Sequence, residues 1–229
     1  YDEDNMERLK ENGIDIIFGR KDILELSKKY ENSIDNVIFK NYYDYLSNIE
    51  EDINSYEKKK LEDWNSNCYI GFFKELKKEE SCLEHADGRK KDCSWKYVSN
   101  KSGGFMGMWW FPLSENEINK LTETSDEDIY LQIEQYNQKN IVTIKYSVPK
   151  GNINNKKLSK EDYEKKVEIA SKKRKDFFYK FKKILKNENF KKKDFRKGQY
   201  MTVGYLEFED ISDCEKKIEV LQAALKIIK

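Results

Sequence analysis

The spacing of apolar residues changes twice along this chain of 229 residues, and these changes limit the folds that are open to it. Between residues 34 and 56, apolar side chains recur at steps of three and four, which is the period of an amphipathic helix. Several segments between residues 95 and 148 alternate instead, as strands with one packed face do. Helical spacing returns after Ser159. These separate blocks predict an α+β fold, in which an antiparallel sheet packs against long amphipathic helices.

Six segments are predicted as strands, and the sheet is expected to contain about four to six of them. Residues 137–140 join two of these strands as a hairpin. Gly103 and Gly104 stand before another strand, where they favour a tight turn or the close approach of a second segment. The six segments are 14–18, 95–98, 105–111, 129–133, 141–148 and 200–208.

Five helices are predicted from the same patterns. The longest is expected to start at Ser33 or Asp35 and to present an acidic outer face. Another begins after Ser159, which precedes an acidic first turn. The last begins at Ser212-x-x-Glu215, a capping box. The third helix is expected to bury Tyr69, Phe72, Phe73 and Leu76.

We expect one α+β domain over residues 1–229, with a helical part at 1–80, a loop at 81–93 and a sheet-centred part at 94–229. No apolar run reaches the roughly 18–20 residues of a membrane helix, and no secretory leader stands at the start of this sequence. Four cysteines are too few for a disulfide scaffold of this size. These features favour a cytoplasmic protein with reduced thiols and no membrane partner.

The net charge of +1 conceals an uneven distribution. Residues 156–197 hold 18 Lys and Arg against 7 Asp and Glu, whereas the rest of the chain holds 26 against 36. A cationic segment beside an acidic remainder is typical of a surface that faces nucleic acid. The alternative is a solvated helix and a Lys-rich loop docked on acidic neighbours.

Candidate catalytic and metal-binding residues are sparse. The single histidine, His85, lies in a polar stretch without a nucleophile pattern, which favours an exposed loop residue over a catalytic base. Cys82-x-x-His85 with Cys93 offers a zinc alternative, although structural zinc needs four ligands, usually as two close pairs. Loop thiols are the simpler interpretation.

Metal-dependent nucleases need clustered carboxylates and a lysine, which hold Mg²⁺ and orient water. The Glu-x-Lys triplets of this chain fall in predicted helices, whereas the nuclease motif belongs on a strand, where both side chains enter one cleft. Asp128, Glu134 and Lys145 share one predicted hairpin and are the remaining candidates for a degenerate site.

The densest aromatic cluster lies in the predicted sheet. An exposed cluster of this kind can stack nucleic-acid bases, but such clusters more often form the core of a sheet. We therefore expect these side chains to be buried in the core. Its members are Trp95, Tyr97, Phe105, Trp109 and Trp110.

A family resemblance rests on a series of segments in order along most of the chain. They are residues 16–23, Trp64 with Tyr69-Ile-Gly-Phe-Phe73, Trp95-Lys-Tyr-Val-Ser-Asn100, Ser102-Gly-Gly-Phe-Met-Gly-Met-Trp-Trp110, and residues 129–134, 141–145 and 196–203. Together they resemble the PD-(D/E)XK nuclease-like proteins of bacteria. In that family the catalytic Asp and Glu-x-Lys lie upstream, in an N-terminal half that this chain is expected to lack. Tyr1 as first residue fits a C-terminal portion, or a relative that never had the nuclease core.

The resemblance implies a nuclease context but no catalytic residue in this chain, and Mg²⁺ would belong to the absent core. Our first hypothesis is therefore a non-catalytic region of a phage-defence or restriction-type protein that holds DNA by its phosphate backbone. The alternative is an interaction module that docks on the N-terminal nuclease half or on another protein. The third hypothesis is a small Mg²⁺-dependent nuclease. The predicted phosphate contacts are Lys172, Lys173, Arg174, Lys175, Lys191, Lys192, Lys193, Arg196 and Lys197.

Overall fold

The computed structural model describes residues 12–13, 19–78, 94–99, 104–124, 127–136, 139–148, 159–186, 188–194 and 196–228. Three predictions fall outside these residues, namely the strand at 14–18, the loop at 81–93, and the zinc alternative at Cys82, His85 and Cys93.

The described residues form six helices and five strands, which confirms the α+β prediction. None of the described helices is both long enough and apolar enough to cross a membrane. The helices are α1 (Arg20–Tyr30), α2 (Val37–Asn54), α3 (Ser66–Lys78), α4 (Glu115–Thr122), α5 (Lys160–Ile184) and α6 (Ile211–Ile227). The strands are β1 (Ser94–Val98), β2 (Phe105–Trp110), β3 (Asp128–Tyr136), β4 (Lys139–Ser147) and β5 (Tyr200–Phe208).

The five strands form one antiparallel sheet in the order β1-β2-β3-β4-β5, so each strand pairs with its neighbours in sequence. The predicted hairpin between β3 and β4 is present, with Tyr136 opposite Lys139. Both strands extend further into the connection than the alternation indicated. Before β2, Gly104 has a φ of 94°, and a Cβ there would lie 2.5 Å from the Val98 carbonyl oxygen. Only glycine suits this turn.

One face of the sheet carries the hydrophobic core. Phe72 of α3 lies 6.2 Å from the ring of Phe208 in β5, and Phe177 of α5 lies 5.8 Å from the ring of Tyr146 in β4. Helix α6 packs against β4 and β5 as well. Because α3, α5 and α6 join the same core cluster as the inward side chains of the sheet, they cover a single face of it.

The long helix α2 differs from its prediction. It begins at Val37, and the Asn36 side chain caps it by accepting from the backbone N–H groups of Ile38 and Phe39, so neither Ser33 nor Asp35 is the cap. Its apolar stripe is buried at Leu46 and Ile53, whereas Ile38 is exposed.

Two further helix starts differ from the prediction. Helix α6 begins at Ile211, where the Asp210 side chain accepts from the Asp213 N–H at 2.8 Å, so the capping box at Ser212 is wrong. Helix α4 was not predicted. Its start is a capping box between Ser114 and Glu117, followed by only eight helical residues.

Candidate functional site

The face of the sheet opposite the core forms a groove, here called the sheet groove, with a volume of about 790 Å³. It crosses all five strands, about 19 Å at the usual strand spacing, and follows β3 for about 20 Å. Aromatic rings make up much of its walls, and charged side chains lie at its floor. The lining residues are Trp95, Lys96, Val98, Phe105, Trp109, Phe111, Asp128, Tyr130, Gln132, Glu134, Lys145, Ser147, Lys193 and Tyr200.

Glu134 is the centre of the polar floor. It is only 5% exposed and follows the core residue Ile133 on β3. Its Oε1 accepts from Lys193 Nζ at 3.0 Å and lies 3.9 Å from Lys145 Nζ, while its Oε2 accepts from Gln132 Nε2 at 2.8 Å. Two ammonium groups therefore share one buried carboxylate.

Lys145 reaches the floor from β4, next to a register shift between Ile144 and Lys145. Its Nζ donates to Thr202 Oγ1 on β5 at 3.3 Å. Burial lowers the pKa of Lys145, the nearby Glu134 carboxylate opposes that shift, and Lys193 adds to it. The ammonium is thus held in a place where water solvates it poorly.

Lys193 enters the groove from the segment after α5. This segment is fixed beside β5 because Lys191 and Tyr205 exchange two backbone hydrogen bonds of 2.9 Å. Lys193 Nζ then lies 3.9 Å from the centroid of the Tyr136 ring, close enough for a cation–π interaction. A segment outside the named strands thus supplies the second ammonium of the floor.

The aromatic walls come from β2, β3 and β5. Trp109 donates its Nε1–H to Gln132 Oε1 at 3.1 Å, and the rings of Phe111 and Tyr130 lie 5.0 Å apart. Tyr200 stands at the other side of the groove and is 65% exposed. The walls therefore offer flat apolar surfaces whose orientation is partly fixed by hydrogen bonds.

The aromatic cluster that we predicted as core is divided between the two faces. Trp110 is buried in the core, whereas Trp109 and Phe105 line the groove. Tyr97 is half exposed. The division follows from strand geometry, because neighbouring residues in a strand point to opposite faces.

The three candidates for a magnesium site do not meet at one point. Glu134 and Lys145 lie together, but Asp128 is six residues from Glu134 on the same strand, about 20 Å away. Mg²⁺ binds oxygen at about 2.0–2.1 Å, so these two carboxylates cannot share one ion. Among the described residues, no group of three His, Cys, Asp or Glu side chains is placed to hold a metal ion.

Most of the nine predicted phosphate contacts are engaged within the protein. Arg174 is fully buried, and its Nη1 donates to the Arg196 carbonyl at 2.8 Å, so it is not part of an exposed cationic surface. Lys173 donates to the Thr122 carbonyl at 2.5 Å. Four others form ion pairs, namely Lys191 with Glu207, Lys193 with Glu134, Arg196 with Asp194 and Lys197 with Glu168.

Lys172, Lys175 and Lys192 are exposed. The first two belong to the outer basic face of α5, which we define as its exposed lysines Lys172, Lys175, Lys180, Lys182 and Lys183. Asp176 is exposed in the same stretch. Because α5 packs on the core side of the sheet, its outer basic face points away from the sheet groove. The nine residues thus do not form one surface.

Sequence reasoning missed several groove residues, among them Lys96, Tyr130, Gln132 and Tyr200. The available signal was the alternation of β3, which places Tyr130, Gln132 and Glu134 on the face opposite Leu131 and Ile133. No such signal exists for Lys193, since its position depends on the bridge to β5.

Comparisons with protein-family models, with curated proteins and with solved structures find no match to this chain. The resemblance to the PD-(D/E)XK nuclease-like proteins therefore stays a prediction.

Proposed function

We propose that this protein is a non-catalytic nucleic-acid-binding module that holds a single-stranded segment in the sheet groove. The observation that carries the proposal is that aromatic rings and ammonium groups share the face of the sheet opposite the core. Bases stack on aromatic side chains in a sequence-tolerant way, while lysines neutralise phosphates. Four-stranded sheets that bind RNA in this manner stack two or three bases, and this groove crosses five strands.

The charges of the groove support a modest electrostatic contribution. Lys96, Lys145 and Lys193 line it together with Asp128 and Glu134, which leaves one excess positive charge. If all three lysines contact phosphates, the logarithm of the binding constant should fall with the logarithm of salt with a slope of about −2. Stacking would supply the rest of the affinity.

A single strand suits this groove better than a duplex. The rings of Trp109 and Phe111 are half-buried, so a base has to turn out of its stack to reach them. The outer basic face of α5 is the surface better suited to a duplex, because it offers exposed lysines to a phosphate backbone. The resemblance to nuclease-like proteins supports a place beside a nuclease of phage defence or restriction, with DNA as the ligand.

Fluorescence anisotropy with a labelled 12-nucleotide strand and its duplex, at 50 and 200 mM salt, tests the proposal. Two variants form a matched pair, since Tyr200 in the groove and Tyr179 on α5 are 65% and 64% exposed. We expect Tyr200→Ala to weaken single-strand binding about 5-fold or more, because base stacking contributes about 1–3 kcal/mol. Tyr179→Ala should leave it unchanged.

The reverse result, with loss only in Tyr179→Ala, would move the binding surface to α5. No binding of either nucleic acid at 50 mM salt would contradict the proposal and leave the interaction module as the function to test. Mg²⁺-dependent cleavage would contradict the non-catalytic part.

A further inference from the structure

The floor of the sheet groove holds more positive than negative charge. Lys145 Nζ and Lys193 Nζ lie 3.9 and 3.0 Å from the same oxygen of Glu134, which places the two ammonium groups within about 7 Å of each other. Their side chains are 11% and 17% exposed. Glu134 contacts both ammonium groups, and Asp194 also favours the charged form of Lys145. Positive charge that is shielded from water is nevertheless costly, and an anionic group of a ligand would offset that cost.

A buried hydroxyl group lies on the same face of the sheet as this floor. Thr143 lies two residues before Lys145 on the same face of β4, opposite Gln132. It is fully buried, and its Oγ1 makes no hydrogen bond with the residues that the structure describes. A buried hydroxyl without a partner is uncommon in folded proteins. The same face of β4 thus carries an unsatisfied hydroxyl group two residues from Lys145.

The geometry points to one recessed phosphate group, and we infer that the floor binds the terminal phosphate monoester of a nucleic-acid strand. This inference rests on the proposed function of the groove. A terminal monoester projects from the strand, carries about −1.5 to −2 charge at pH 7 and presents three acceptor oxygens. An internal phosphodiester has one charge and a sugar on either side, so it reaches a recessed ammonium pair less well.

The carboxylates of the groove favour a single phosphate over a row of phosphates. Glu134 and Asp128 lie about 20 Å apart along β3, and Lys145 stands between them, opposite Tyr130. A phosphate at Lys145 and Lys193 lies beside Glu134 alone, whereas phosphates along the whole strand would meet Asp128 as well. We expect Lys96 on β1, which is exposed, to contact an internal phosphate of the strand.

The experiment compares one 12-nucleotide sequence in three forms: with a 5′-phosphate, with a 3′-phosphate and with hydroxyl groups at both ends. We expect one phosphorylated form to bind about 10-fold or more tightly than the hydroxyl form, because charge-assisted hydrogen bonds to the phosphate contribute a difference of this size. Lys193→Met should abolish this preference, and Lys145→Met should do the same. Lys96→Met is the matched control, which should weaken all three forms by the same factor.

Failure of the inference and failure of the proposed function are distinguishable. Equal affinity for the three oligonucleotides would overturn the terminal-phosphate site and leave groove binding intact. Loss of binding in Lys96→Met, with unchanged binding in Lys193→Met and Lys145→Met, would also overturn the terminal-phosphate site. If no oligonucleotide binds but a nucleoside monophosphate does, and Lys193→Met abolishes its binding, the phosphate site stands without the proposed function. Because Lys193 lies outside the strands, its variant tests the site even if Lys145→Met does not fold.

Discussion

At the scale of single residues, Lys145 is a charged group that water reaches poorly. Its ammonium group lies 3.3 Å from Thr202 Oγ1 and 3.9 Å from Glu134 Oε1, and these contacts hold it in place. Burial nevertheless lowers its pKa. A lysine with a lowered pKa binds fewer protons in the folded than in the unfolded protein. Its contribution to stability therefore becomes more favourable as pH rises toward the unfolded value near 10.5.

This sign gives a pH-dependent prediction. Between pH 7 and pH 9.5, the free energy of unfolding of the wild type should rise relative to that of Lys145→Met. Urea denaturation of both proteins at both pH values measures this difference. Tyrosines with raised pKa values, such as Tyr69, are present in both proteins, so their contribution cancels. A difference that stays constant or shrinks with pH would contradict the burial of Lys145.

Arg174 shows how a residue far from the groove can position a groove residue. Its Nη1 donates to the Arg196 carbonyl and its Nη2 to Ser171 Oγ at 3.2 Å, which ties the segment after α5 to the helix. The same segment carries Lys193. We expect Arg174→Met to lower the free energy of unfolding by about 2–4 kcal/mol and to weaken oligonucleotide binding.

The control for Arg174 is Arg196→Met, because the Arg196 side chain is exposed and pairs with the neighbouring Asp194. It should change stability by less than about 1 kcal/mol. Equal effects of the two variants, measured by urea denaturation and anisotropy, would show that the buried guanidinium does not position the segment.

At the scale of elements, the crossing of α2 and α3 depends on Gly71. A Cβ built there would lie 2.0 Å from the Ile53 carbonyl oxygen, which is backbone and cannot turn aside. We expect Gly71→Ala to cost about 2–3 kcal/mol of stability, a drop in Tm of about 4–12 °C for a domain of this size. Gly198→Ala is the matched control, since nothing lies within 4 Å of the added Cβ. An equal drop in Tm in the two variants would refute a close crossing of α2 and α3.

The sequence predicts elements better than it predicts their neighbours. The strand at Tyr200–Phe208 was predicted with its observed bounds because aliphatic, aromatic and β-branched residues follow one another there almost without interruption. Helix α4 was missed because eight residues contain too few apolar steps to show a period. The exposure of Ile38 escaped prediction for another reason, since periodicity shows that a face is apolar but not whether another element covers it.

The same limit applies to the candidate site. Asp128, Glu134 and Lys145 were selected from a shared hairpin, and the structure brings the last two together. Lys193 was selected as one of many lysines in a basic segment, and nothing in its sequence context separates it from Lys192. Its place over Tyr136 arises from the bridge between Lys191 and Tyr205, a contact between distant parts of the chain.

At the scale of the whole molecule, positive charge is presented on two sides of the sheet. The groove side holds Lys145 and Lys193, and the helical side holds the outer basic face of α5. The sheet and its core lie between the two sides, so these are separate surfaces. The positive charge is thus divided between two surfaces, to which the proposed function assigns different ligands, a strand in the groove and a phosphate backbone on α5.

Separate variants of the two sides should therefore have separate effects. We expect Lys172→Glu with Lys175→Glu to change single-strand affinity less than about 2-fold at 200 mM salt, where charges further apart than about 8–10 Å are largely screened. The same pair should weaken duplex binding and reduce its salt slope by about 2, because two phosphate contacts are lost. Tyr200→Ala should show the opposite selectivity. Anisotropy titrations of both variants with both ligands at several salt concentrations measure this. If the α5 variant abolishes single-strand binding, the outer basic face is the main site and the groove is not.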